Sequence, residues 1–557
     1  RKLPPKGRYS IKEKYNETIF KRMLSGIYDF ANNKKCCNEV IYSIILGYVT
    51  RNLAVDSELL NINKVNKIKL DELNEMQKVA FKQAIIKRFS IIQGPPGTGK
   101  TKLSSFITYY LNKFKVNPKS KILLCASSNL AADNLTKYLI SEFDSSELKI
   151  VRFLARYREI YARNDLKEVY FHILIDKYVK QNKTYFTEIY KKYNDLINTK
   201  QGVKKDEYTR YYKAKTQIEQ EIIGNCGILI CTCSAAYDER IIETQFDFVL
   251  VDESSQICEG EAILPIIHKA KHVTIIGDQC QLSPIILLRK AEENGLGTSF
   301  MQRMLNLQLP STMLNTQYRM HPKLSELPSL LFYGNKLING VTEKERNSSK
   351  MKNAFKWPNK DYPTFFYHIF GKETINNNSI CNEIEAYAVI QIIKKLVNNK
   401  IKSEQIGIIT PYFGQKLLLI SILNTMNIEV EVGTVDSFQG REKDIIILSN
   451  VRSNLKCYIG FLDNPKRMNV SITRAKYGLI IVGNSITLGY AQRKQTKWYD
   501  LIKFYNEKGL IVTGKINNLK KFDALEVMNE IDETHKKSEK QNPLNSNSLN
   551  DKTHKMI

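Results

Sequence analysis

Between residues 88 and 280, short apolar runs rich in β-branched residues alternate with polar or glycine-containing loops and helical patterns. The runs are FSIIQ (89–93), KILLCA (121–126), GILICT (227–232), FDFVLVD (246–252) and HVTIIGD (272–278). Most are too continuously apolar for a strand with one wet face, so they predict buried parallel strands with chemistry at their carboxyl ends. A second series follows with TFFYHI (364–369), IGIITPY (406–412), VEVGTV (430–435), DIIILSNV (444–451) and GLIIVGN (478–484), again with helical patterns between. The alternation predicts an α/β fold of two tandem domains with parallel sheets, spanning 71–308 and 309–513.

Three stretches break the rhythm. Residues 165–222 are helical in pattern and rich in Lys and Tyr. From Lys177 to Lys215 they hold eleven basic residues against four acidic ones, which predicts a helical insertion with a basic face. Residues 1–70 read as a separate leader with helices around 19–31 and 38–49. From about 514 the chain turns polar, Asn/Lys/Ser-rich and poor in aromatics, which predicts a disordered tail over 514–557.

The 557 residues are 43% hydrophobic, enough to build more than one buried core. No run of eighteen apolar residues occurs, and the start RKLPPK has no apolar segment of the signal-peptide kind. A membrane span and secretion are therefore not expected. A start at Arg1 suggests a fragment. Lys and Arg outnumber Asp and Glu by 84 to 57, giving +27 and an isoelectric point near 9.4. Such an imbalance points to a polyanionic partner, nucleic acid first, with a Lys/Asn-rich coding bias as the plain alternative. The ten cysteines form no CxxC pair. Cys226, Cys231 and Cys233 come nearest to a metal group but lie in a buried-strand pattern, so a reducing, cytoplasmic location is expected.

IIQGPPGTGKTK (91–102) matches G-x-x-x-x-G-K-[ST] with a strand before it and a helix pattern after. Gly94, Gly97, Thr98 and Gly99 shape a loop whose backbone N–H groups approach phosphate oxygens. Lys100 is expected on the β- and γ-phosphates of ATP, and the Thr101 hydroxyl on Mg²⁺. VLVDESSQ (249–256) ends a buried strand with two carboxylates. Asp252 is expected to bind Mg²⁺ and Glu253 to polarise the attacking water. Gln281 in IIGDQCQLSP (275–284) can bond γ-phosphate or water without adding charge. Gln77 in LNEMQ (73–77) can bond an adenine edge through its carboxamide.

Together with NTQYRMHP (315–322), GTVDSFQGREKD (433–444) and RMNVSITRAK (467–476), these motifs make the chain resemble the superfamily 1 helicases of the up-frameshift type, the RNA helicases of nonsense-mediated mRNA decay. The motifs fit in order and spacing from about 70 to 513. Between them, FYGNKLINGVT (332–342) and QIGIITPYFGQ (405–415) are similar too. The departures are small: Ser127 where Pro is frequent, DESS for DEA[ST] or DEST, and Ser283 where Gly or Pro is common.

The resemblance implies two RecA-like P-loop domains with ATP in the cleft between them, a helical insertion in the first, and a β-barrel on two helical stalks. Only the end of the barrel and its stalks would fall in 1–70. The family's Cys/His-rich zinc domain, which binds its decay partner, has no counterpart here, so decay-factor contacts through it are in doubt. Tyr318 would stack on the adenine and Glu442 bond the ribose. Arg319 and Arg474 are the candidates for the positive charge that phosphoryl transfer draws from outside the phosphate loop. A nucleic-acid track would cross the tops of both domains past Ser128, Asn129, Thr232, Thr410, Pro411, Thr434 and Ser437, where small hydroxyls suit phosphate contacts without base readout. The implied activity is ATP-dependent 5′-to-3′ translocation on single-stranded RNA by a monomer that remodels mRNPs. A senataxin-like or DNA-directed helicase and an ATP-regulated RNA clamp remain the rivals. A P-loop kinase does not explain two arginines in a second domain. Most of the nine tyrosines between 161 and 212 are expected to pack helix against helix rather than stack bases.

Overall fold

The computed structural model describes residues 17–48, 59–61, 70–198, 204–346, 353–376 and 378–541. The first apolar series forms a parallel seven-stranded sheet. Its strands are β1 (Phe89–Gln93), β2 (Ile122–Ala126), β3 (Ile150–Arg152), β4 (Ile228–Thr232), β5 (Phe248–Asp252), β6 (His272–Gly277) and β7 (Ser311–Met313), in the order β3-β4-β2-β5-β6-β1-β7. Its strands are apolar on both faces because both are covered. Leu123, Cys125, Val249 and Val251 enter one core, while Leu124, Ala126, Phe248 and Leu250 enter the other.

The second series builds a like sheet in the order β14-β13-β15-β16-β10-β17-β18. The strands are β10 (Thr364–His368), β13 (Ile406–Ile409), β14 (Glu431–Gly433), β15 (Lys443–Ser449), β16 (Ala475–Gly483), β17 (Ile511–Lys515) and β18 (Asn518–Lys521). Only the β17–β18 edge is antiparallel. Two short pairs sit apart from the sheets: β8 (Thr316–Gln317) with β9 (Ile338–Asn339), and β11 (Thr374–Asn376) with β12 (Ser379–Cys381). The molecule is thus α/β with two tandem parallel sheets, as the alternation predicts, of the RecA-like kind that the resemblance implies.

The differences lie at the margins. β7 pairs with β1, so the first sheet reaches past residue 309, and the crossing to the second domain comes at 314–321. A three-residue strand carries too little periodicity to be read from sequence. Beyond 514 the chain is ordered where a disordered tail is expected. It forms the β17–β18 hairpin and a helix, Ala524–Gln541. Ala524, Met528 and Ile531, spaced i, i+4, i+7, are buried in the second core, and Phe522 stacks on His368 at 4.1 Å. That narrow stripe is diluted by the polar residues around it. Residues 542–557 lie outside the described residues.

The leader helices occur at Thr18–Asn32 and Glu39–Ile45. The first packs through Gly26, where an added Cβ would lie 2.3 Å from Leu264, and is pinned by Arg22 to Asp238 at 2.9 Å. The barrel end expected in 1–70 falls largely on 1–16, 49–58 and 62–69, outside the described residues. The insertion is helical, with Phe171–Gln181, Tyr185–Asn198 and Lys205–Asn225. Of its tyrosines, Tyr170, Tyr190, Tyr193 and Tyr211 are buried, and Tyr190 stacks on Tyr211 at 5.4 Å.

Candidate nucleotide and nucleic-acid site

β1 lies between β6 and β7, one strand in from the edge of the first sheet, and open α/β sheets bind ligands outside the carboxyl ends of such strands. From its carboxyl end the chain turns into the helix Lys100–Phe114 through Gly97 (φ +73°) and Gly99 (φ +81°), a left-handed conformation that glycine adopts without strain. A Cβ on Gly94 would lie 2.2 Å from Lys100 Cγ, so the loop closes tightly over its lysine. Lys100 Nζ donates to the Gly94 carbonyl at 2.8 Å and stands 3.9 Å from Glu253. Thr98 Oγ1 bonds the Pro95 carbonyl at 2.7 Å. Thr101 is half-buried on the first turn of the helix.

Asp252 and Glu253 close β5 beside this loop. Burial and then the Glu253 charge push the Asp252 carboxyl up to about 7, with Lys100 opposing. A buried carboxylate and a hydroxyl at the phosphate loop are hard oxygen donors that fit Mg²⁺. Glu253 itself sits in the left-handed region at φ +52°, a strain typical of functional turns. Its Oε2 accepts from Gln256 at 3.1 Å.

Gln77 reaches the loop from below rather than an open edge. It completes a capping box with Asn74, and its Nε2 donates to the Thr98 carbonyl at 3.0 Å. Its carboxamide oxygen is therefore already taken up by the Asn74 N–H in this arrangement.

The segment 315–322 carries Arg319 across to the second domain. Tyr318 N–H bonds the Gly97 carbonyl at 2.8 Å, and His321 N–H bonds the Lys476 carbonyl at 2.8 Å, so the segment touches both domains. Arg319 Nε donates to Glu442 at 2.6 Å, and its Nη1 to the Thr473 carbonyl at 3.2 Å. Burial works against the Glu442 charge, but Arg319 and Lys476 overcome it and hold the carboxyl down at about 2. Arg474 is buried, and its Nη2 donates to Gln281 Oε1 at 3.3 Å across the domain boundary. Burial and then the Arg319 charge lower its pKa towards about 9. Gln281 in turn donates to Asp278 at 2.7 Å. Lys100, Thr101, Glu253, Tyr318, Arg319 and Glu442 together line one cleft of about 430 Å³, whereas Gln77, Asp252, Gln281 and Arg474 are buried and take no part in its lining.

The same cleft holds residues that the sequence motifs do not single out. Arg346 donates to the Tyr318 and Arg319 carbonyls, at 2.5 and 2.9 Å, and lies over the Tyr477 ring at 5.7 Å. Lys476 ends the motif RMNVSITRAK without a role given to it and Tyr477 directly follows, positions that could have flagged both; Arg346 in VTEKER carries no such signal. Behind the cleft, Tyr333 donates to Asp278 at 2.7 Å and accepts from Asn469 at 2.7 Å, a second buried bridge between domains.

The proposed track residues stand at strand ends. Ser128 and Thr232 cap the helices Asn129–Glu142 and Cys233–Ala236 through their hydroxyls. Asn129 receives Arg152 at 3.1 Å. Thr434 and Ser437 bond each other, with Ser437 Oγ donating to the Thr434 carbonyl at 2.9 Å. Pro411 is half-buried, while Thr410 is fully buried, beneath the surface where a phosphate contact is expected.

Comparison with known proteins agrees with this arrangement. One AAA domain family matches residues 72–207 and 179–289, two segments that overlap within the insertion, and another AAA domain family matches 296–486. ATP-dependent helicase NAM7 of Saccharomyces cerevisiae is 38% identical over 511 residues, 90% of this chain and 50% of that protein. The regulator of nonsense transcripts 1 homolog of Drosophila melanogaster is 37% identical over 516 residues, 90% of this chain and 42% of its own. ATP-dependent helicase upf1 of Schizosaccharomyces pombe is 34% identical over 534 residues, 92% of this chain and 55% of its own. The chain thus spans about half the length of the curated relatives it matches. Among solved structures, arterivirus nonstructural protein 10 (helicase) aligns with a TM-score of 0.35 at 13% identity over 72% of this chain and 61% of that one, too loose a likeness to add to the fold already described. With two AAA domain matches in tandem, the chain is similar along 90% of its length to the regulator of nonsense transcripts 1 proteins and the ATP-dependent helicase NAM7.

Proposed function

We propose that this chain is an ATP-hydrolysing RNA helicase of the up-frameshift type, which moves 5′ to 3′ on single-stranded RNA and remodels mRNPs in nonsense-mediated mRNA decay. The names of its relatives support the activity, while direction and pathway rest on the resemblance. The observation that carries the reading is that Arg319 packs against Gly97 of the phosphate loop while Arg474 bonds Gln281 of the first domain across the domain boundary.

In this reading Lys100 exchanges the Gly94 carbonyl for the β- and γ-phosphates of ATP. Glu253 orients the attacking water. Thr101 and Asp252 would hold Mg²⁺, which when bound neutralises phosphate charge. Arg319 leaves Glu442 to face the transferring group, and Glu442 is then free for the ribose hydroxyls. Gln281, tied to Arg474, makes closure of the domains sense the γ-phosphate. A cytoplasmic monomer is the state in which we expect it to act.

The test is strand displacement on matched RNA, DNA and hybrid duplexes with a single-stranded 5′ overhang. ATP-driven displacement of the RNA duplex is the expected result. Hydrolysis with no displaced strand at any salt concentration would assign the chain to clamps instead, and displacement of DNA alone to the DNA-directed helicases.

A further inference from the structure

The nucleotide cleft does not use a second cavity, of about 540 Å³, at the carboxyl edge of the second sheet. Its walls are Tyr412, Arg452, Tyr458 and Phe461. Tyr412 comes directly after Thr410–Pro411 at the end of β13, Arg452 follows β15, and the two other rings stand on the loop 457–463. Tyr458 and Phe461 are each 66% exposed, an uncommon state for two neighbouring large rings on one cavity.

An arginine backs each ring. The Arg452 guanidinium lies 5.1 Å from the Tyr458 centroid, and that of Arg467 lies 5.8 Å from Phe461. The backbone beneath is fixed rather than loose. Asn454 bonds both the N–H and the carbonyl of Tyr458, at 3.0 and 2.9 Å, and Tyr412 Oη donates to the Ile459 carbonyl at 3.3 Å. Val451, a β-branched residue at φ +72°, is held there by the Glu385 carboxylate at 2.9 Å. The cavity is also continuous with the candidate track. Arg467 reaches Asp436 at 3.4 Å, and Asp436 lies on the loop that carries Thr434 and Ser437.

We propose that Tyr458 and Phe461 form a base-stacking station, where one or two nucleobases of a single strand lodge while its phosphates follow the Pro411 and Thr434–Ser437 loops. The proposal rests on the reading that this chain binds nucleic acid. The occupant is a nucleobase because exposed rings backed by cations, beside a phosphate-suited surface on a chain of +27, complement a strand that offers both π faces and negative charge. Arg452 and Arg467 are already paired with Glu373 and Asp436, so the rings rather than new charge supply the contact. Stacking of this kind tolerates any base.

The experiment is equilibrium binding of a fluorescent uridine oligonucleotide to the full chain at several salt concentrations. Y458A and F461A should each weaken binding by roughly tenfold, with the slope of affinity against salt unchanged. The ring-keeping Y458F and F461Y should bind like the unaltered chain. An oligonucleotide with abasic positions should bind more weakly to the unaltered chain yet be insensitive to Y458A and F461A. Unchanged affinity in both alanine variants would overturn the station while leaving the nucleic-acid reading intact. So would a loss that the ring-keeping variants share, or one that lowers the salt slope. If the unaltered chain fails to bind any oligonucleotide, the nucleic-acid reading falls, and the station with it.

Discussion

Gly97 and Arg319 meet at the point where the phosphate loop touches the crossing segment. A Cβ on Gly97 would lie 2.6 Å from that of Arg319, so the contact tolerates only glycine, and the loop's left-handed turn asks for the same residue. Motif spacing makes both residues legible, but not their contact, because no local pattern encodes packing between residues so far apart in the chain. Gln77 shows the complementary limit. Its carboxamide marks it as a binding group, yet the capping box with Asn74 and the bond to Thr98 give it the task of holding the loop. A buried acid far from any motif gives a residue-scale test. Glu385 accepts from Ser449 Oγ at 2.6 Å and from Val451 N–H, and burial pushes its carboxyl up to about 7 from an ordinary 4.5. With the folded pKa raised, the native state takes up a proton between pH 4.5 and 7. Stability therefore falls as pH rises through that window and levels off above it. Against E385Q, which does not titrate, the unaltered chain should lose on the order of 3 kcal/mol in denaturant unfolding between about pH 4.5 and 7.5. A gap between the two that does not change with pH would contradict the assignment.

The elements legible in sequence are those whose pattern is long and continuous. β1 was bounded at Phe89–Gln93 by its apolar run, and β5, β6, β10 and β15 to within a residue or two, because parallel strands covered on both faces read as unbroken hydrophobic stretches. β3 and β7 have three residues each, below what periodicity can report. The helix Ala524–Gln541 was hidden for another reason: its buried stripe is narrow and the rest of it is charged, so composition outweighed spacing. That helix is a working part of the second core, since Met528 is fully buried against Gly489, where a Cβ would lie 2.9 Å from the Met528 methyl. Met528→Ala should cost about 2–5 kcal/mol in chemical unfolding followed by tryptophan fluorescence, because Trp498 lies in the same core. A cost below about 0.5 kcal/mol would return the segment to the status of a loose tail.

At the scale of the whole molecule, two features organise the chain. One is charge: +27 on a surface whose candidate track offers hydroxyls and backbone rather than base-edge readers. Binding to poly-U should weaken steeply with salt, by about 10³ or more between 50 and 200 mM if six or more phosphates are neutralised; a flat response would reduce the charge to surface composition. The other is the boundary between the domains, bridged by Arg474 with Gln281, by Tyr333 between Asp278 and Asn469, and by Lys466 with Ser283 at 2.6 Å. These bridges were not legible as a network. The motifs named Gln281 and Arg474 singly, and Tyr333 and Asn469 lay within recognisable stretches without a stated role. In the proposed function they make the phosphate site complete only when the domains close, and that closure would convert hydrolysis into movement along a strand. In the proposed function Arg319 serves turnover across this boundary and not the binding of ATP. This role is tested by measuring, on one preparation of Arg319→Ala, nucleotide affinity and ATP hydrolysis at saturating poly-U. Affinity should stay within a few-fold of the unaltered chain while turnover falls by about 10³ or more. Hydrolysis near the unaltered rate, or loss of nucleotide binding itself, would contradict that role.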